Sequence, residues 1–183
     1  MQKIVALLGF MMLAMVSFAQ DTTQTTQAMP ATSGMDADSP FAMTAAQGDL
    51  FEITSSQLAL EQAESQEIKD FAQMMIDAHT ATTEQLTPIA GELGVTPPTE
   101  MNPMQQFMVA HLQTLQGANF DSAYMRHQVT AHAAAVDAFT TATMGAVQNQ
   151  TLVDFATQNL PIIQEHLTMA QEMAGMMTQP ATQ

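Results

Sequence analysis

The stretch from residue 68 to residue 90 reads IKDFAQMMIDAHTATTEQLTPIA and is the clearest helical signal in the chain. Ser65 before it is typical of a helix N-cap, and Gly94 after it is typical of the left-handed residue that ends a helix. The pattern predicts an amphipathic helix that ends near Gly94 and is kinked at Pro88. Its predicted buried face recurs every three or four residues and comprises Ile68, Phe71, Ala72, Met75, Ile76, His79, Leu86 and Ala90.

Other segments of the chain carry similar signals. Ser39 and Pro40 form a helix start, as N-cap and first helical residue, and Asn102-Pro103 forms another. Gly117 and Gly145 are suited to closing the helices that precede them. The remaining predicted helices cover residues 40–62, 104–115, 120–144 and 149–177, the last of them bent at Pro161.

These helices predict an all-α fold. Tight turns join the first two long helices and the last two, whereas more than 20 residues and the short helix separate the pairs. Two helical hairpins joined by a long crossover define the ferritin-like variant of the four-helix bundle. An up-down-up-down bundle ranks second, because it needs only short loops.

The N-terminus is typical of a secretory signal peptide. Lys3 precedes an apolar run over residues 4–16, which Ser17-Phe18-Ala19 follows. A retained membrane anchor would need about 20 apolar residues, and no later stretch is long and apolar enough to span a bilayer. The expected organisation is a signal peptide at 1–19, a disordered linker at 20–38, the bundle at 39–177 and a flexible tail at 178–183. The protein is therefore expected in the periplasm or at the outer membrane.

Composition excludes several classes of function. The chain has no cysteine, so it forms no disulfide and carries no lipid-bearing cysteine. It has 18 acidic residues against 3 basic ones, for a net charge of −15. Such an acidic chain repels phosphate backbones, which excludes ordinary nucleic-acid binding. No glycine-rich phosphate loop or nucleophile elbow is present either.

Each long helix places one polar group on its predicted inner face. These groups are Glu52, His79, His132 and His166, whereas His127 is expected to face solvent. One carboxylate and three imidazoles that converge in a bundle would suit zinc, iron or copper. The alternative is a structural network in which the histidines bond Glu52, Asp121, Tyr124 or the backbone.

Two further patterns bear on the metal. The di-iron ferritin signature needs Glu-x-x-His on two helices, and it is absent: Asp77 precedes His79 by two residues and points to another side of the helix. Methionines at helical spacing, in 101–108 and 169–177, could hold Cu(I), although methionine more often fills gaps in a core.

The chain resembles the exported bacterial family known as domain of unknown function 4142, which is grouped with ferritin-like proteins. The resemblance covers about residues 40–175 and implies a ferritin-like bundle outside the cytoplasm, with no settled activity. It is carried by Gly48–Glu52 with Leu58-Ala59, by Phe71–His79, by Phe120-Asp121 with Tyr124 and His132, and by Phe155-Ala156, Leu160-Pro161 and His166-Leu167. The recurrent polar positions of the family match Glu52, Asp77, His79, Asp121, Tyr124, His132 and His166.

Three hypotheses of function follow. The first is a non-enzymatic exported bundle that binds one metal ion through Glu52, His79, His132 and His166, with Asp77, Asp121 and Tyr124 as candidates to orient those ligands. The second is a metal-dependent oxidoreductase on the same scaffold. The third is a structural or stress-related interaction module whose histidines and carboxylates form a buried network.

Overall fold

A computed structural model describes residues 37–177, and within that range the chain forms helices and no strand. The all-α prediction is thereby confirmed. No helix between residues 37 and 177 is long and apolar enough to cross a membrane. The expected signal peptide, the tail and nearly all of the expected linker lie outside the described residues. The elements are α1 (Asp38–Gln62), α2 (Gln66–Glu92), α3 (Pro103–Gln113), α4 (Gly117–Thr141), a π-helical turn (Ala142–Ala146) and α5 (Gln150–Met177).

The helices form two antiparallel hairpins, as the turn lengths predict. α1 packs mainly on α2 and α4 mainly on α5, while α1 also contacts α4 and α2 contacts α5. The starts of α2 and α4 lie at the same end of the bundle, because Asp121 accepts hydrogen bonds from the backbone N–H groups of Glu64 and Ser65. The connection from α2 to α4 therefore returns along the bundle, and α3 lies within it.

Several helix ends agree with the sequence signals, but α4 begins at Gly117 instead of residue 120, and the start of α1 differs as well. Gly94 and Gly145 adopt positive φ angles of 69° and 98°, as their predicted role requires. Asn102 and Gln105 form a capping box at the start of α3. The prediction that Ser39 is the N-cap of α1 is wrong: α1 begins at Asp38 with Ala37 as N-cap. Asp38 accepts hydrogen bonds from the backbone N–H groups of Gln148 and Asn149, and this distant contact orders the earlier turn.

The described interior holds three apolar clusters: a small one of Phe51, Met108 and Val109 between α1 and α3, and two larger ones toward opposite ends of the bundle. One lies toward the α1–α2 turn and includes Ile68, Phe71 and Tyr124. The other lies toward the α4–α5 turn and includes Phe41 and Phe139. Between them, the four long helices bring buried polar side chains together in one layer. This layer comprises Asp49, Glu52, Ser55, His79, Gln128, His132 and His166.

Candidate metal centre in the polar layer

Three histidines from three helices meet in the polar layer. His79 lies on α2, His132 on α4 and His166 on α5, and all three are buried. One ring nitrogen from each lies within 4.8 Å of those of the other two. The ring centroids are 5.5 to 5.9 Å apart. The expected convergence is therefore present for the three histidines, whereas Glu52 is not part of this cluster.

Hydrogen bonds fix which nitrogen of His79 and His132 is free. The Nδ1–H of His79 donates to Oδ1 of Asp49 over 2.8 Å. The Nδ1–H of His132 donates to the carbonyl oxygen of Gln128 over 3.0 Å. Because Nδ1 is the donor in each ring, Nε2 carries the lone pair when the ring is neutral.

The free nitrogens have no partner within the described part of the chain. Nε2 of His79, Nε2 of His132 and Nδ1 of His166 are buried and make no hydrogen bond. A buried polar atom without a partner costs about 1–3 kcal/mol. Each of the three converging histidines carries one such atom, and a cation bound between the rings would offer these nitrogens a partner.

Glu52 lies beside this cluster. Its side chain is 3% exposed, and Oε1 is 3.5 Å from Nδ1 of His132, the nitrogen that donates to Gln128. The carboxylate is not among the groups whose ligand atoms converge within 4.8 Å. Glu52 therefore lies behind His132, where a carboxylate orients a histidine ligand, and Oε2 is buried without a partner.

Charges within the layer shift the pKa values of its members. Burial raises the pKa of Glu52 from 4.5 to about 7, against the opposing effects of the His79 charge and of Gln128. Burial, with a smaller contribution from the charge of His79, lowers the pKa of His132 to about 3 and that of His166 to about 4. His132 and His166 are therefore neutral at neutral pH, which is the form that binds metal.

His79 behaves in the opposite way. Burial disfavours its protonated form, but the hydrogen bond to Asp49 and the charges of Glu52 and Asp49 outweigh that effect and raise its pKa. Asp49 also accepts hydrogen bonds from the hydroxyl groups of Thr82 and Thr83. It is thus held firmly by α2 while it orients His79.

Asp49 is the functional residue that the sequence reasoning missed. The sequence analysis assigns it no role, because one polar group per inner helix face is counted and Glu52 is taken for α1. The available signal was its position three residues before Glu52, on the same face of the helix.

The other residues suggested as ligand-orienting groups lie elsewhere. Asp77 is exposed and accepts a hydrogen bond from Gln73, so it does not contact His79. Asp121 binds the backbone of the α1–α2 turn. Tyr124 bonds Ser56 within the larger apolar cluster near the α1–α2 turn, and after burial the charge of Glu52 is the next cause of its raised pKa.

His127 is not the fully solvent-facing residue that the sequence predicts. It is half-buried, and its Nε2 lies 3.1 Å from Nδ1 of His111 on α3. The contact arises because α3 packs against α4, which helical periodicity alone does not reveal. The pair is separate from the three-histidine cluster.

The fold and the polar layer define an all-helical bundle protein with a buried three-histidine cluster. A family model described as Domain of unknown function (DUF4142) matches residues 21–173, and the chain belongs to this family. Comparisons with curated proteins and with solved structures gave no match.

Proposed function

We propose that this chain is an exported, ferritin-like bundle protein that binds one transition-metal ion through His79, His132 and His166. The observation that carries the proposal is the convergence of three buried histidines, each of which has a buried ring nitrogen without a hydrogen-bond partner among the described residues. Imidazole is a common ligand for zinc, copper and iron. The site thus fits the metals that the sequence suggests.

The surroundings of the cluster support a cation. Histidine ligands usually donate their second ring N–H to a carboxylate or a carbonyl, as His79 does to Asp49 and His132 does to Gln128. Asp49 and Glu52 together bring two carboxylates near the three rings, which would balance the charge of a divalent ion. The ligands therefore have the orientation and the charge compensation of a metal site.

The cluster is also accessible. His79 and His166 line a cavity of about 130 Å³ between α2 and α5, whose wall includes the amide side chains of Gln85 and Asn159. The rest of that wall is mostly apolar, but the opening leads to two of the three histidines and gives an ion a path to them. We infer that metal enters between α2 and α5.

Metal analysis of the purified mature protein tests the proposal. We expect one ion per chain after equilibration with zinc, copper or iron and removal of the excess. The His132→Ala variant should lose the ion, whereas His127→Ala, which removes the other histidine of α4, should keep it. At a hundredfold excess over its Kd, a ligand that binds only the folded state adds about 2.7 kcal/mol to the free energy of unfolding.

One result would contradict the metal proposal. A wild-type protein that takes up no ion, and whose unfolding is unchanged by any of the three metals, would leave the histidines as a structural network. In that case His79→Gln should be tolerated, because the amide side chain of Gln can still donate to Asp49.

A metal-dependent oxidoreductase is the second candidate function. Three protein ligands leave coordination positions open, as in catalytic zinc sites, and His79 and His132 also line a second cavity. Redox turnover that is lost in His132→Ala but retained in His127→Ala would support this function. A metal-loaded protein that neither cycles its metal nor binds an external ligand would count against it.

A further inference from the structure

A second cavity adjoins the histidine cluster. It has a volume of about 210 Å³ and lies mainly between α1, α4 and the start of α3, while His79 and Thr82 of α2 and Ile163 of α5 complete its wall. Asp49, Glu52, His79 and His132 form its polar end. Most of the remaining wall is apolar.

The walls owe their shape to small residues on α4. Residues 131, 134, 135 and 138 are all alanine, at the spacing of one helical face. Any large apolar residue on this face would fill the space, as the Phe139 ring does at one end. The cavity opens to solvent, since Thr44, Met104 and Ala134 in its lining are exposed, and its apolar wall offers a surface on which an apolar group can be buried.

The polar end contains one nitrogen of the proposed metal site and one carboxylate oxygen outside it. Nε2 of His132 and Oε2 of Glu52 have no hydrogen-bond partner, and these side chains are 1% and 3% exposed. Both residues line the cavity. The cavity therefore combines an apolar body with a small number of unsatisfied polar groups, which is typical of small-molecule sites.

The size of the cavity limits the ligand. A dry cavity of about 150 Å³ can hold benzene, so 210 Å³ accommodates a six-membered ring with a short extension. Met104 lines the cavity and is 61% exposed, which places an opening at the start of α3. A compact molecule could enter there without separating the long helices.

The charge of the site favours a neutral ligand. A divalent ion would be balanced by Asp49 and Glu52, so no net charge would draw an ionic ligand into an apolar space. Burying an uncompensated charge is costly. A neutral nitrogen or oxygen donor avoids that cost and can still coordinate the ion.

We infer that this cavity binds a small neutral molecule with a ring-sized apolar body and one nitrogen or oxygen donor. The body lies along the alanine face of α4, and the donor reaches an ion held by the histidines. The inference rests on the proposed metal site and adds the class of molecule that the site receives.

Cobalt(II)-loaded protein provides the test, because its visible spectrum reports a new ligand. Imidazole and 4-phenylimidazole carry the same donor, but only the second has a ring-sized apolar body. We expect 4-phenylimidazole to bind at least about tenfold more tightly, since burying a phenyl group exceeds the free energy of a tenfold change.

Two variants of α4 test whether the preference for 4-phenylimidazole over imidazole arises in this cavity. Ala135→Leu should fill the cavity and abolish the preference while leaving imidazole binding intact. Ala133→Leu makes the same change on the exposed side of α4 and should retain the preference. If Ala135→Leu fails to fold by circular dichroism, Ala131→Val fills the same wall with less added volume.

The outcomes separate the two proposals. A protein that binds cobalt but shows no preference, or keeps the preference in the cavity-filling variant, overturns the ligand inference and leaves the metal site standing. A wild-type protein that binds no cobalt overturns both. A preference that is lost in Ala135→Leu and retained in Ala133→Leu supports both the metal site and the ligand cavity.

Discussion

Asp49 is the residue on which the orientation of His79 depends. Its carboxylate accepts the Nδ1–H of His79 and is itself held by two threonine hydroxyl groups of α2. We expect Asp49→Ala to weaken metal binding by about 10- to 100-fold, as is usual when the partner of a ligating histidine is lost. A competition titration against a chromophoric chelator measures the change.

Asp77→Ala is the matched control for Asp49. Asp77 precedes His79 by two residues but lies exposed on another side of α2. Its substitution should leave metal affinity unchanged. Equal affinities for the two variants would show that Asp49 does not orient a ligand.

Substitution of Glu52, in contrast, is expected to stabilise the metal-free protein. Burial raises its pKa from 4.5 to about 7, so the folded state favours the protonated carboxyl group. That stabilisation is present below pH 4.5 and is lost as the pH rises through 7. At about pH 8 the buried carboxylate costs roughly 3 kcal/mol, and metal-free Glu52→Gln should therefore be more stable than wild type by about 1–3 kcal/mol.

The stabilisation by Glu52→Gln, measured as the free energy of unfolding, should become smaller toward about pH 4.5, because wild-type Glu52 is then neutral like glutamine. Urea unfolding of metal-free protein at the two pH values measures it. Glu61→Gln, an exposed change on the same helix, should have little effect at either pH. A Glu52→Gln variant that is less stable at the higher pH would show that the carboxylate is stabilising even without metal.

At the element scale, two aspartates fasten each hairpin to the turn of the other. Asp121, near the start of α4, accepts N–H groups of Glu64 and Ser65 in the α1–α2 turn at 3.0 and 2.9 Å. Asp38, at the start of α1, accepts those of Gln148 and Asn149 before α5 at 2.7 and 3.0 Å. These reciprocal contacts fix the register of the hairpins and thereby the alignment of the histidines.

We expect Asp121→Ala to lower the free energy of unfolding by about 1–3 kcal/mol, because two backbone donors lose a charged acceptor. Asp70→Ala, an exposed change near the same end of α2, is the control. Denaturant unfolding measures both. A loss no larger than that of the control would mean that water replaces the carboxylate.

Periodicity predicts the elements well because helix formation is local. Seven of the eight side chains on the predicted inner face of α2 are buried, with Ile76 partly so. The error at the start of α1 arises from a distant contact, because Asp38 binds the backbone before α5 and the helix begins ahead of Ser39. Likewise, the sequence placed the histidines on inner faces, but only the packed structure shows that Asp49 meets His79.

At the scale of the whole molecule, the polar layer lies between the two larger apolar clusters. It places ionisable groups where a continuous apolar core would be more stable. The layer therefore controls how the stability of the bundle depends on pH. His132 and His166 have lowered pKa values, so their contribution is present above 6.5 and is lost as the pH falls toward about 3 and 4. Glu52 and His79 have raised values, so their contribution is lost as the pH rises through those values.

These opposite trends predict that the layer makes metal-free protein most stable near about pH 6.5, where unfolded histidines begin to titrate. On the acid side the slope is at most about 1.4 kcal/mol per pH unit for each histidine, and His132→Gln should flatten it. A bound metal ion changes how stability depends on pH above about pH 6.5. The ion competes with protons for the imidazoles and offsets the charge of Glu52. Stability of the metal-loaded protein should therefore keep rising from about pH 6.5 to about pH 8 while that of the metal-free protein falls. Parallel pH profiles for the two forms, measured by urea unfolding, would place the ion outside the polar layer.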